Sequence, residues 1–225
     1  GITAAVSSQP ARLAILISGH GTNLQAFIDA CARGELAAQI GIVISNNPEA
    51  AGLQRAESAG LATRAIDHRN FATREEFDQA LVNELHAFSI DLVVLAGFMR
   101  ILTPVLVEPF VGRLFNIHPS LLPKYPGMHT HQRALDAGDA EAGATVHFVT
   151  QELDGGPPVL QCRVPILTDD TAESLAARVS LKEHTLYPIA VRWYLQGRLQ
   201  LTGEGATLDG HAIPANGIQY TADLR

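Results

Sequence analysis

Asn116 and His118 stand two positions apart at the end of the apolar run LFNI and are followed by PSLLPKYPG, where prolines and a glycine preclude regular structure. A histidine donates or accepts a proton, and a neutral amide beside it supplies N–H groups. The pair suits a carbonyl whose oxygen becomes negative during reaction. LDGGPP at 153–158 adds a carboxylate, Asp154, on a glycine turn. A D-G pair by default caps a hairpin; if the turn folds toward His118, the carboxylate favours the imidazolium form. No spacing rule brings the two together.

Three other stretches carry chemistry. SGHGTNLQ at 18–25 places two glycines and a Thr-Asn pair at a helix start, where unpaired N–H groups and the helix dipole attract an anion such as phosphate. A tight turn capped by Asn23 reads the same way. The stretch is neither a Walker loop nor the dinucleotide G-x-G-x-x-G. AGFMRIL at 96–102 is too apolar for an ordinary exposed loop. Phe98, Met99, Ile101 and Leu102 either line a pocket for a flat ligand or pack into the core. His129 and His131 project in different directions from a helix start, with no carboxylate at a ligand spacing, so no metal is expected. By themselves Arg74, Lys182 and Glu183 read as solvent-facing helix residues.

The elements that must position these groups alternate. Strands are expected at 12–18, 39–45, 63–67 and 91–98, with helices at 23–34, 50–60 and 73–88 between them. Thr73 with Glu76 reads as a capping box. This βαβαβαβ order implies an α/β fold with a doubly wound, mostly parallel sheet. Beyond it come a strand at 112–117, a short helix at 129–138, and two strands on either side of the D-G-G turn, expected to pair antiparallel at one end of the sheet. A long C-terminal helix spans 173–197, disturbed at Pro188, and the tail after Gly197 is turn-rich. Ligands in such sheets collect beyond the carboxyl ends of the parallel strands.

Composition bounds the function. The 225 residues suffice for one α/β domain, with 47% hydrophobic and 17% charged residues. A net charge of −7 without basic clusters argues against nucleic acid. Cys31 and Cys162 lack metal or disulfide-framework spacing, which fits a reducing cytoplasm. No apolar run is long enough to span a bilayer, and the opening residues do not read as a secretory signal. Residues 1–11 read as an N-terminal extension, 12–200 as the functional domain, and 201–225 as a tail packed on it.

Taken together, LISGHGTNLQAFIDA, DLVVLAGFMRIL, FNIHPSLLPKYPGMHTHQRAL and GATVHFVTQELDGGPPVLQ resemble the folate-dependent formyltransferases, specifically those of purine synthesis, over about residues 12–200. The resemblance implies a Rossmann-like fold and a catalytic trio of Asn116, His118 and Asp154. It implies 10-formyltetrahydrofolate as cosubstrate, with Arg74, Met99, Arg100, Ile101, Leu102, Asn116, Thr150, Gln151, Glu152, Leu153 and Asp154 on the folate. Glycinamide ribonucleotide is the implied acceptor, its phosphate at Gly21, Thr22 and Asn23 and its other end at Ser180, Leu181, Lys182 and above all Glu183. The assembly implied is a monomer or homodimer without metal, membrane or nucleic acid.

A formyltetrahydrofolate hydrolase would use the same trio but usually carries an extra domain ahead of it, for which about a dozen leading residues leave no room. A methionyl-tRNA formyltransferase needs a further C-terminal domain and a basic surface. A nicotinamide dehydrogenase needs the dinucleotide glycines and an acidic residue about 20 positions on; here the loop is HGTN, and QIGIVISNN stands there. A noncatalytic sugar-phosphate module has no use for the trio.

Overall fold

The computed structural model describes residues 9–225; residues 1–8 of the expected extension lie outside the described residues. The first half alternates as its hydrophobic pattern requires: β1 (Ala11–Ile17), α1 (Thr22–Ala32), β2 (Ala38–Ser45), α2 (Ala51–Ser58), β3 (Thr63–Ala65), α3 (Arg74–Ala87) and β4 (Leu92–Leu95). The short α4 (Pro104–Val107), β5 (Leu114–His118), α5 (Thr130–Asp136), β6 (Glu141–Phe148), β7 (Pro158–Pro165) and α6 (Ala172–Leu195) follow.

Strand side chains alternate between two cores. Leu13, Ile15 and Ile17 of β1 face Leu24 and Phe27 of α1 and Leu175, Val179 and Tyr187 of α6. Ala14 and Leu16 face the opposite side, with Phe77 and Leu81 of α3 and Leu106 of α4. The sheet is thus covered on both faces, which explains the unbroken apolar run LVVL in β4, buried at every position.

Among the described residues the main sheet has eight strands; with β11 (Ile218–Gln219) at one edge, the order is β11-β7-β6-β5-β4-β1-β2-β3. From β3 through β5 all pairs are parallel; β6 runs antiparallel to both β5 and β7. The chain winds outward from β1 through β2 to β3, then crosses to β4 on the other side, so the switch point lies between β1 and β4.

Four expectations are corrected. The tail is not merely turns: β8 (Leu199–Thr202), β9 (Gly205–Leu208) and β10 (His211–Ala212) form a small antiparallel sheet. β11 (Ile218–Gln219) then pairs parallel with β7, so the antiparallel strand pair does not form the edge. These strands are too short for a period-2 pattern to register. Pro188 does not interrupt α6, which runs 24 residues through it. The capping box at α3 is half made: Thr73 accepts from the Glu76 N–H at 3.1 Å, but the Glu76 carboxylate takes the N–H of Ala72 at 3.3 Å.

Candidate active site

β5 delivers the first two groups. Asn116 and His118 alternate with Phe115 and Ile117, so the polar pair leaves one face while the apolar pair enters the core shared with α6. Across the antiparallel ladder Asn116 stands opposite His147 and His118 opposite Thr145. This register brings in a second histidine. The Asn116 Nδ2 lies 3.3 Å from His147 Nε2, and His147 Nδ1 lies 2.8 Å from the Phe148 carbonyl oxygen. With Nδ1–H donating to that carbonyl, Nε2 accepts from Asn116 and orients its amide, leaving the second amide N–H free. Burial pushes the His147 pKa down and keeps the ring neutral, opposed by the Phe148 carbonyl and Asp154.

Asp154 arrives from the loop after β6. Its backbone is left-handed, with φ 50°, a conformation Asp tolerates better than most residues. The His118 and Asp154 side chains are only 7% and 8% exposed, and Asp154 Oδ1 lies 3.5 Å from His118 Nδ1. The same oxygen is 3.9 Å from His147 Nε2, while Oδ2 accepts from the Gly127 N–H at 2.9 Å. On its other side His118 Nε2 lies 2.7 Å from the Tyr125 carbonyl oxygen. Both ring nitrogens therefore face oxygen acceptors.

The Pro-rich stretch after β5 is irregular but anchored. Thr145 Oγ1 donates to the Ser120 carbonyl at 2.8 Å and accepts from the Leu122 N–H at 3.2 Å. Gln161 Nε2 donates to the Leu122 carbonyl at 3.2 Å and to Thr145 Oγ1 at 3.0 Å. Buried polar side chains of β6 and β7 thus fix the loop that sets the Tyr125 carbonyl on His118.

At the start of α1, Gly21 is left-handed at φ 71°, and a Cβ there would stand 3.1 Å from the Gly52 Cα. The Gly52 N–H donates to the Gly19 carbonyl at 2.9 Å and Arg55 Nε to the His20 carbonyl at 2.7 Å, so the loop is drawn onto α2. Asn23 does not cap the helix; the cap is Gly21, and Asn23 Nδ2 donates to Glu183 Oε1 at 3.1 Å. Burial pushes the Glu183 pKa up to about 7, with the Asn23 bond opposing it.

The loop after β4 divides. Phe98 is buried and stacks on Phe77 with centroids 6.4 Å apart, so it packs into the core rather than lining a pocket. Met99 is 62% and Ile101 51% exposed, and Leu153 is 58% exposed. Arg100 lies over the Phe77 ring at 5.9 Å. The backbone N–H and C=O groups of Arg100, Ile101 and Leu102 have no hydrogen-bond partner among the described residues.

The family model described as formyl transferase matches residues 11–191. The chain belongs to the formyl transferase family. It is 49% identical over 211 residues to the phosphoribosylglycinamide formyltransferase of Escherichia coli, covering 94% of this chain and 99% of that one. It is 48% identical to part of the human trifunctional purine biosynthetic protein adenosine-3, over 87% of this chain and 19% of that protein. Among solved structures, the phosphoribosylglycinamide formyltransferase of Coxiella burnetii superposes with a TM-score of 0.89 at 44% identity, covering 94% of this chain and all of that one.

This formyl transferase gathers some of its expected site residues and not others. Asn116, His118 and Asp154 form one cluster, and Asn23 with Glu183 another. Leu181 is 68% exposed, and at roughly 100° per residue it lies on the opposite side of α6 from Glu183. Lys182 and Arg74 are exposed, and Ser180 is half-buried. In the loop after β6, Gln151 Nε2 reaches Glu108 Oε1 at 3.5 Å and Thr150 Oγ1 accepts from the Glu152 N–H at 3.4 Å. His147 escaped sequence reasoning because its role depends on the β5–β6 register. Among the described residues no group of three or more His, Cys, Asp or Glu side chains has the geometry of a metal site, and no helix is long and apolar enough to cross a membrane.

Proposed function

We propose that this formyl transferase moves the formyl group of 10-formyltetrahydrofolate to the glycinamide amine of N1-(5-phosphoribosyl)glycinamide in de novo purine biosynthesis. The observation that carries this reading is the Asn116–His118–Asp154 cluster, with the His118 and Asp154 side chains buried, in a chain matching relatives of that name over nearly their whole length.

The neutral amine attacks the formyl carbon, and the carbonyl oxygen becomes the oxyanion of a tetrahedral intermediate. The free N–H of Asn116 stabilises that charge, together with the Nδ1 side of His118, whose 3.5 Å contact to Asp154 leaves it able to be shared with substrate while Nε2 stays on the Tyr125 carbonyl. Asp154 faces Nδ1 of His118 at 3.5 Å and orients the ring. Collapse breaks the bond between formyl carbon and folate nitrogen, and the proton lost by the amine returns to that nitrogen by way of His118 or water. No covalent enzyme intermediate is needed because the amine is the nucleophile. Since the Asn23 side chain is committed to Glu183, the backbone N–H groups of Gly21, Thr22 and Asn23 take the phosphate. Glu183 holds the remainder of the ribonucleotide. The unpaired backbone of 100–102 and the apolar Met99 and Ile101 take the pterin, with Arg74 and the 150–154 loop completing the folate site.

Mixing the protein with both substrates and following folate absorbance tests the reading. Tetrahydrofolate formation that requires the ribonucleotide is expected. Release at the same rate without it supports a hydrolase instead.

A further inference from the structure

The loop after β4 presents a mechanical problem. Its apolar side chains Met99 and Ile101 are turned to water, so its packing is confined to Leu102 against the core and Arg100 over the Phe77 ring, and its 100–102 backbone has no internal partner among the described residues. Yet a loop that reads a flat heterocycle with backbone groups must keep those groups in one place, or binding bears the cost of ordering them.

Two polar anchors hold its ends. At the far end, Thr103 donates both its N–H and its hydroxyl to Asp78 Oδ2, each at 2.7 Å. At the near end, the Met99 N–H donates to Ser18 Oγ at 2.8 Å. Ser18 is not an isolated hydroxyl. It donates its single proton to Asn46 Oδ1 at 2.5 Å, so an oxygen lone pair is left to face Met99. Asn46 is itself only 5% exposed, and its Nδ2 lies 3.1 Å from His68 Nδ1. His68 stands edge-on to Phe77 with centroids 6.4 Å apart. The relay therefore joins the residue after β1, the residue after β2 and the turn after β3 to the loop after β4. Each member sets the orientation of the next.

Packing backs the relay at Asn46 and His68 but leaves open space beside it. A cavity of about 420 Å³ lined by Ser18, Asn46, Asn47, Glu49, His68 and Arg69 adjoins it. Arg69 is engaged with Asp67 at 2.8 Å. Loss of the hydroxyl would leave the Met99 N–H with no side chain to replace it.

We propose that Ser18, oriented by Asn46 and His68, is a positioning residue that holds the Met99–Leu102 backbone in the shape that binds the formyl donor. This rests on the assignment of that loop to the folate. Ser18 stands at the head of the loop assigned to the ribonucleotide phosphate, but its hydroxyl faces Asn46 and Met99, so its loss acts on the formyl-donor side.

The test is Ser18→Ala in the full chain, with steady-state rates in each substrate and amide exchange at Met99. A neutral hydrogen bond of ordinary worth predicts about a tenfold rise in KM for the formyl donor. Met99 exchange should accelerate by a similar factor, while kcat stays within about threefold and KM for the ribonucleotide within about twofold. Ser18→Thr, which keeps the hydroxyl, should restore the donor KM. His68→Phe, which keeps a ring on Phe77 but removes the nitrogen, should raise it by a smaller factor of about two to five. Faster Met99 exchange with an unchanged donor KM in an active enzyme overturns the proposal alone. A wild-type chain that neither binds nor turns over the folate overturns the functional reading beneath it.

Discussion

Asp154 divides one carboxylate among three neighbours: Oδ2 takes the Gly127 N–H, and Oδ1 faces the imidazoles of His118 and His147. Replacing it by Asn keeps the shape but removes the charge beside His118. Asp154→Asn and His118→Ala should each lower kcat by roughly 10²–10⁴-fold while substrate dissociation constants, read by calorimetry, change little. Near-normal turnover in either variant would exclude the proposed chemistry. Glu183 makes a second prediction. Its folded carboxyl titrates near 7 against an ordinary 4.5, so between those values the folded protein binds more protons than the unfolded chain. Stability should therefore fall as pH rises from about 4.5 to 7 and then level, by at most about 3 kcal/mol. Glu183→Gln should flatten that slope and, in urea titrations at pH 8, unfold at higher denaturant than the wild type. Equal pH slopes in the two proteins would show that Glu183 is not held in this way.

At the scale of elements, β6 carries the cross-strand partners of both β5 site residues, and its place depends on a close approach to β7. A Cβ on Gly143 would lie 1.9 Å from the Cys162 carbonyl oxygen and 2.7 Å from Leu121 Cδ2. Backbone cannot yield as a flexible side chain can, so Gly143→Ala must push the strands apart. That displacement would strain the Thr145–Gln161 contact anchoring the Pro-rich loop. A destabilisation of about 3 kcal/mol is expected, measurable as a lower urea midpoint, together with loss of activity at temperatures where the variant is still folded. A variant as stable and active as the wild type would mean that the strands can separate there without cost.

At the scale of the molecule, the tail is part of the main sheet. β11 adds to β7, the Tyr220 N–H donates to the Gln161 carbonyl at 2.8 Å, and Gln219 Nε2 donates to Gln161 Oε1 at 3.0 Å. Gln161 also holds Leu122 and Thr145, so the tail supports the loop beneath His118 through one side chain. Removing residues 217–225 should cost about 2 kcal/mol and lower Tm by roughly 5 °C, checked by calorimetry. An unchanged Tm would make the tail a passive appendage.

Periodicity and turn chemistry were enough to read the alternating half, the long last helix and the placing of Asn116 and His118 at a strand end, because those depend on residues close in the chain. The family was legible too, since four motifs in order carry it. Tertiary structure alone decided which groups meet. Asp154 reaches His118 by way of the β6 turn, His147 joins through strand register, Asn23 turns from cap to Glu183 partner, and β11 closes an edge from a segment that reads as turns. Each of these contacts spans tens of residues, and its geometry comes from the register and packing of whole elements, which a local pattern does not encode.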